Sequence, residues 1–200
     1  MQQAIEHLRR QDPILAEIIG RVGEYAIQFR DPDFETLVKS IVYQQLSGRV
    51  AGVIFARLVA AAKGKLTPEN ILKLRPSRMR SLGLSANKAA YIRDLARHTR
   101  DGQLVFEELE SLADADVIER VTKVKGIGVW TAHMFLIFAL RRHDILPTGD
   151  LGIRNAMRKA YGLAELPSPA VMEQLAQPWR PYCSVATWYL WRSLEGDANL

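Results

Sequence analysis

Apolar residues recur at helical spacing along nearly the whole chain, and this periodicity restricts the fold more than any other feature. Leu37 with Ile41, and Met134 with Phe138, are pairs four residues apart that share one face of a helix. No stretch keeps the two-residue alternation of a strand over more than a few positions. The sequence therefore predicts an all-α fold.

Proline and glycine breakers divide this pattern into about a dozen short helices. Asp33, Thr67 and Asp114 are predicted helix starts, because a side-chain oxygen at such a position accepts from the amides of the next turn. Only residues 196–200 have the composition of a loose tail. Nearly the whole chain is therefore expected to be compact.

Charge and cysteine content limit the classes of function. The 27 Lys and Arg residues exceed the 22 Asp and Glu residues, a balance expected of a nucleic-acid binder but shared with many other proteins. The single cysteine, Cys183, excludes an internal disulfide, a four-cysteine zinc site and a cysteine-ligated iron–sulfur cluster. His7, His98, His133 and His143 lack the spacing of zinc ligands. We expect no metal and no cofactor.

The N-terminal segment and the hydropathy pattern bear on location. No charged-then-apolar leader follows Met1, and no apolar run reaches the length that spans a bilayer. We therefore expect an intracellular protein without membrane contact, in the cytoplasm or nucleoid of a bacterium or archaeon, or in the nucleus of a eukaryote. The sequence does not determine the oligomeric state, and a monomer is the simpler expectation.

Residues 114–140 have the pattern of two helices joined by a glycine turn. The first helix is expected to end near Thr122 and the second to start near Trp130, with Gly126 and Gly128 in the turn. Glycine adopts positive φ and allows close backbone approach. Helix-opening amides then form an anion site that suits a DNA phosphate, beside the charge of Lys125. A C-cap glycine in an ordinary connection explains the same pattern.

Several motifs together resemble one family. Val-Lys-Gly-Ile-Gly-Val-Trp-Thr-Ala at 124–132 resembles the helix-hairpin-helix of base-excision glycosylases, and Leu-Pro-Thr-Gly-Asp at 146–150 resembles their loop that ends in the catalytic aspartate. The segments 41–47, 83–89 and 178–189 follow the family's order. The chain thus resembles the helix-hairpin-helix-GPD superfamily, in its 3-methyladenine DNA glycosylase II (AlkA-like) branch, over roughly residues 30–195.

The resemblance implies a domain organisation. It predicts two helical lobes with the active-site cleft between them, forming a single glycosylase unit over 1–200. A central lobe would cover about 36–141 and include the helix-hairpin-helix at 114–140. The second lobe would combine 1–35 with 142–200.

Asp150 is the candidate catalytic carboxylate. Its own neighbourhood, a Pro-Thr-Gly loop before the apolar-periodic segment 151–161, predicts only a helix N-cap. The resemblance assigns it the catalytic position, where an anion stabilises an oxocarbenium-like sugar or orients water. Trp130 stands where bifunctional relatives carry a lysine nucleophile, and tryptophan cannot form a Schiff base. Base removal without AP-lyase activity is therefore expected.

The resemblance also implies a base pocket and a DNA grip. Aromatic walls suit a cationic methylpurine, and the candidate pocket residues are Trp130, Trp188, Tyr43 and Met134, the last at a position where relatives can carry a tyrosine. Leu46 is the candidate wedge that fills the gap left by a flipped base, although a leucine at a helix end is more often core. The candidate DNA-binding residues are Gln45, Leu46, Lys125, Gly126, Ile127, Gly128 and Thr131.

These features together predict a monofunctional DNA glycosylase of base excision repair, which acts on alkylated purines such as 3-methyladenine and 7-methylguanine in double-stranded DNA. A non-catalytic helix-hairpin-helix module for DNA binding or damage recognition explains the charge and the glycines, but not Asp150 after its loop. A glycosylase for oxidised or mismatched bases is a further alternative, against which the missing lysine and cysteines argue.

Overall fold

The computed structural model describes residues 1–195, and within them it contains α-helices, one 3-10 turn and no strand. The predicted all-α fold is confirmed. In chain order the helices are α1 (Gln2–Gln11), α2 (Pro13–Val22), α3 (Phe34–Tyr43), α4 (Gly48–Ala61), α5 (Pro68–Lys73), α6 (Pro76–Ser81), α7 (Ala86–Arg100), α8 (Phe106–Leu109), α9 (Asp114–Thr122), α10 (Val129–Phe138), α11 (Leu151–Ala160), α12 (Pro169–Ala176) and α13 (Cys183–Glu195), with the 3-10 turn at Gln177–Trp179. The tail predicted at 196–200 lies outside the described residues.

Helix starts follow the capping chemistry at most predicted positions. Asp33 accepts from the Thr36 amide at 2.8 Å, and Thr67 accepts from the Asn70 amide at 3.2 Å. The helix start predicted at Asp114 is confirmed, but Asp114 is the first helical residue, and Ala113 occupies the N-cap. There its carboxylate meets the positive end of the helix dipole instead.

Two compact units divide the chain, and the first consists of 1–29 with 141–195. In it α13 packs against α2 and α11. Asp12 is a buried centre of this unit: Oδ1 caps α2 by accepting from the Ile14 and Leu15 amides, and Oδ2 accepts from Trp179 Nε1 at 2.7 Å and from the Tyr161 hydroxyl at 2.5 Å. One carboxylate thus joins three separate segments.

The second unit spans Arg30–Leu140. The long helix α7 packs against α3, α5 and α6, while α9 packs against α10. Burial follows the predicted apolar faces, since Leu37 and Ile41 of α3 and Ile92 and Leu95 of α7 are fully buried. This unit holds the hairpin and the pocket described below.

The single cysteine and the lengths of the helices are the last features of the fold that bear on function. Cys183 is fully buried at the start of α13, as expected of a packed helix residue. Among the helices of residues 1–195, none is long and apolar enough to cross a membrane.

Candidate functional site

The predicted hairpin joins α9 to α10 through residues 123–128. Gly126 has a positive φ of +82°, as expected. Gly128 does not have a positive φ, because its φ of −96° and ψ of 174° are extended values that any residue can adopt. Val124 and Ile127 are buried, so the turn is anchored from inside, while Lys125 is exposed. The amides that open α10 lie at the positive end of its dipole.

Three side chains from elsewhere in the same unit hold this turn. Asp94 Oδ2 accepts from the Lys125 amide at 3.0 Å, and Gln44 Nε2 donates to the Gly126 carbonyl at 2.9 Å. The ring of Tyr91 lies where a Cβ on Gly126 would be. The Lys125 amide therefore already has an acceptor, and of the predicted anion site only the first turn of α10 is left as a candidate.

Gly126→Ala is expected to damage the hairpin through both backbone strain and overlap with Tyr91. A left-handed φ costs a residue with a Cβ about 1–2 kcal/mol before any clash. Gly64→Ala is the matched control, because Gly64 has φ +80° yet a Cβ there meets no atom within 4 Å. We expect both variants to lose thermal stability but only Gly126→Ala to lose about tenfold or more in affinity for duplex DNA, measured by fluorescence anisotropy. Equal affinities for the two variants would contradict this role of the turn.

A pocket of about 510 Å³ opens beside the hairpin. Tyr43 at the end of α3 and Trp130 and Met134 of α10 line it, so the structure brings three of the four predicted pocket residues together. Its complete lining is Arg30, Lys39, Ser40, Tyr43, Gln44, Gln45, Trp130, Thr131, Met134 and Phe138.

A hydrophobic stripe of α10 forms one wall of this pocket. Trp130, Met134 and Phe138 are spaced four residues apart and therefore share a helix face. The Trp130 side chain is 48% exposed, unusual for a tryptophan in a folded unit. Phe138 was missed as a lining residue, although its spacing from Trp130 and Met134 is the signal that identifies it.

Two cations also line the pocket, and sequence reasoning missed both. Lys39 Nζ lies 5.7 Å from the centroids of the Tyr43 and Phe55 rings, and the Arg30 guanidinium lies 6.0 Å from the Phe138 ring. The pocket therefore combines flat aromatic faces with hydrogen-bond donors.

The other unit contains Asp150, which is the N-cap of α11. Its Oδ1 accepts from the Ile153 amide at 2.8 Å and from Trp191 Nε1 at 3.0 Å, and the residue is only 8% exposed. Gly152 permits this arrangement, because a Cβ there would come within 3.0 Å of Oδ1 and 3.4 Å of Trp191. The predicted cap is present, and the bond from Trp191 orients the carboxylate.

Trp188 lies in the same unit as Asp150 and is not among the residues that line the pocket of the second unit. It is 8% exposed, and its ring packs edge-on against Tyr25 and Tyr189 at centroid distances of 4.7 and 4.9 Å. The Arg192 guanidinium lies 6.0 Å from the same ring. Its surroundings are those of a packed aromatic cluster.

The candidate wedge follows α3. The helix predicted to reach Leu46 ends at Tyr43, because Gln45 adopts a left-handed φ of +55°. Leu46 is 38% exposed, so it is not the core leucine that its sequence context favours.

Two of the predicted DNA contacts, Ile127 and Thr131, have buried side chains. Thr131 lines the pocket, and the Ile127 amide donates to the Val124 carbonyl at 3.1 Å. Across residues 1–195 no three His, Cys, Asp or Glu side chains come together as a metal site.

Comparison with known proteins identifies close relatives. Residues 38–181 match the family described as HhH-GPD superfamily base excision DNA repair protein. The DNA-3-methyladenine glycosylase 1 of Schizosaccharomyces pombe is 34% identical over 194 residues, which cover 94% of this chain and 85% of that protein.

Solved structures give the same result. The S. pombe 3-methyladenine DNA glycosylase in complex with abasic DNA aligns with a TM-score of 0.83 at 34% identity, covering 94% of this chain and 95% of that one. The DNA-3-methyladenine glycosidase of Bacillus halodurans aligns with a TM-score of 0.89 at 36% identity, covering 98% and 91%. The chain therefore belongs to the HhH-GPD superfamily of base excision DNA repair proteins.

Proposed function

We propose that this protein is a monofunctional DNA glycosylase that flips an alkylated purine out of duplex DNA and hydrolyses its N-glycosidic bond. The observation that carries the proposal is the open pocket beside the hairpin, which is lined by Tyr43, Trp130 and Phe138. Relatives named as 3-methyladenine glycosylases support this substrate class. The protein would act on chromosomal DNA inside the cell as a monomer.

The pocket chemistry suits a damaged purine. A purine methylated at N3 or N7 carries positive charge, and stacking such a cation on an aromatic face contributes about 0.5–2 kcal/mol. Lys39 and Arg30 add donors to the pocket lining, which favours a base with an exocyclic oxygen. We therefore propose 7-methylguanine as a substrate beside 3-methyladenine.

Asp150 is proposed as the catalytic carboxylate. The glycosidic electron pair leaves with the cationic purine, which becomes neutral, and the sugar becomes an oxocarbenium-like cation. Water then attacks this cation, and the proton that it loses passes to the solvent. A carboxylate held by the Ile153 amide and Trp191 Nε1 is oriented before the reaction starts, so it stabilises the developing cation without rearranging. The positive charge of the leaving base reduces the need for a separate general acid.

The first turn of α10 and the exposed Leu46 are proposed as the DNA contacts. The hairpin amides would bind a backbone phosphate without reading sequence. Leu46 would enter the space vacated by the flipped base, whose extrusion costs a few kcal/mol.

We expect no strand cleavage by the protein itself. Trp130 has no amine that could form a Schiff base with an abasic sugar. Borohydride added during turnover should therefore trap no covalent protein–DNA adduct on a denaturing gel, and product DNA should break only after alkali. A borohydride-stable adduct would show that a lysine elsewhere acts as a lyase nucleophile.

The direct test is incubation of the purified protein with methylated duplex DNA, followed by mass spectrometry of the released bases. Release of 3-methyladenine and 7-methylguanine is the expected result. Tight binding of the methylated duplex without any released base would instead identify a non-catalytic damage-recognition module.

A further inference from the structure

The turn between α3 and α4, residues 44–46, presents an exposed leucine from a backbone that needs support. Gln45 has a left-handed φ of +55°, which costs a residue other than glycine on the order of 1 kcal/mol or more unless the surroundings impose it. Leu46 follows directly and is 38% exposed. The groups that impose this conformation therefore determine where Leu46 points.

Lys88 of α7 is the group that reaches this turn. Its Nζ donates to the Val42 carbonyl at 2.8 Å and to the Gln44 carbonyl at 2.5 Å. The Val42 carbonyl belongs to the last turn of α3, whose carbonyls have no amide partner within the helix, and a cation there also meets the negative end of the helix dipole. Burial lowers the pKa of Lys88, consistent with a side chain drawn in from solvent.

The face of α7 that carries Lys88 also holds the hairpin. Tyr91 and Asp94 follow at three-residue intervals, the first against Gly126 and the second accepting from the Lys125 amide. Gln44 closes the connection by donating to the Gly126 carbonyl at 2.9 Å. One helix face thus supports the 44–46 turn and the hairpin together.

We propose that Lys88 is a positioning residue that fixes the 44–46 turn relative to the hairpin, so that Leu46 enters duplex DNA as a preset wedge. The proposal rests on the proposed glycosylase function. A wedge contributes to catalysis only where a paired base must be extruded, because an unpaired base leaves the stack at lower cost. Loss of Lys88 should therefore slow base release mainly from paired substrates. A purely structural role of Lys88 would affect paired and unpaired substrates alike.

The test compares two duplexes that carry the same 7-methylguanine, one opposite cytosine and one opposite a tetrahydrofuran abasic analogue. Lys88→Met keeps the apolar stem and removes the donors. We expect it to slow single-turnover base release from the paired duplex by about tenfold or more and from the unpaired duplex by only about twofold. Leu46→Ala, an exposed substitution, should give the same pattern, and the double variant should be no slower than Lys88→Met.

Arg93→Met is the matched control on the same helix. Arg93 likewise donates to two carbonyls, Leu72 at 3.1 Å and Leu74 at 2.6 Å, but these lie outside the 44–46 turn. Its loss should change the two rates by the same factor. Equal slowing of both duplexes by Lys88→Met, no duplex preference in Leu46→Ala, or additive effects in the double variant would overturn the proposal. Wild-type protein that releases no base from either duplex would instead refute the proposed function.

Discussion

Asp150→Asn is expected to lower the rate of base release by about 10²- to 10³-fold while leaving duplex binding intact. Asparagine caps a helix about as well as aspartate and keeps an oxygen that can accept from Ile153 and Trp191. The substitution therefore removes the negative charge and little else. Single-turnover rates and anisotropy with abasic duplex DNA measure the two properties separately.

Asp33→Asn is the matched control for this substitution. Asp33 caps α3 through the Thr36 amide, as Asp150 caps α11, but it is exposed and is not among the residues that line the pocket of Tyr43, Trp130 and Met134. It should retain base release within about twofold, since capping is preserved in both variants. A fully active Asp150→Asn variant would remove the catalytic role and leave Asp150 as a cap alone.

Asp12→Ala is expected to be the most destabilising single substitution proposed for this chain. It removes the cap of α2 and leaves the Trp179 indole N–H, which is fully buried, without its acceptor. Burial, followed by the bond to Asp12, raises the pKa of Tyr161, so its hydroxyl stays a donor that also loses its partner. Together these losses should cost about 3–5 kcal/mol of the free energy of unfolding.

Denaturant titration followed by tryptophan fluorescence measures this effect. Asp33→Ala is the comparison, because it deletes an exposed cap with a single acceptor bond and should cost only about 1 kcal/mol. Asp12→Asn should fall between them, since its amide nitrogen cannot accept from Trp179. An Asp12→Ala variant as stable as Asp33→Ala would mean that the buried donors find other partners.

Features decided by local chemistry were predictable from the sequence. The hairpin helices end and start at Thr122 and Val129, within a residue of expectation, because glycine spacing and helical periodicity are short-range signals. The N-cap role of Asp150 followed in the same way. The positive φ of Gly126 was also anticipated, but the same reasoning failed for Gly128, whose Cβ would meet open space.

Features decided by distant contacts were not predictable. The apolar pattern continues to Leu46, yet α3 stops at Tyr43, and Lys88, more than forty positions along the chain, donates to the Val42 and Gln44 carbonyls at this end. Trp191 orients Asp150 from 41 positions away, and no local motif connects the two. Lys39 and Arg30 carry ordinary surface charges in the sequence, and only the fold brings them to the pocket. Arg30, which precedes α3, is placed there by the hydrogen bond from its amide to the Phe138 carbonyl at 2.9 Å.

The buried thiol at the start of α13 has a consequence for work in an electrophile-rich environment. Reagents that methylate DNA bases also attack thiolates, and burial followed by the Asp144 carboxylate raises the pKa of Cys183. Because the single cysteine is both buried and protonated, the chain offers these reagents no exposed thiolate, so we expect the agents that create the proposed substrates to leave Cys183 unmodified. Because Cys183 is unreactive, the chain is also suited to site-specific labelling. A cysteine introduced at Leu46 would be the only reactive thiol.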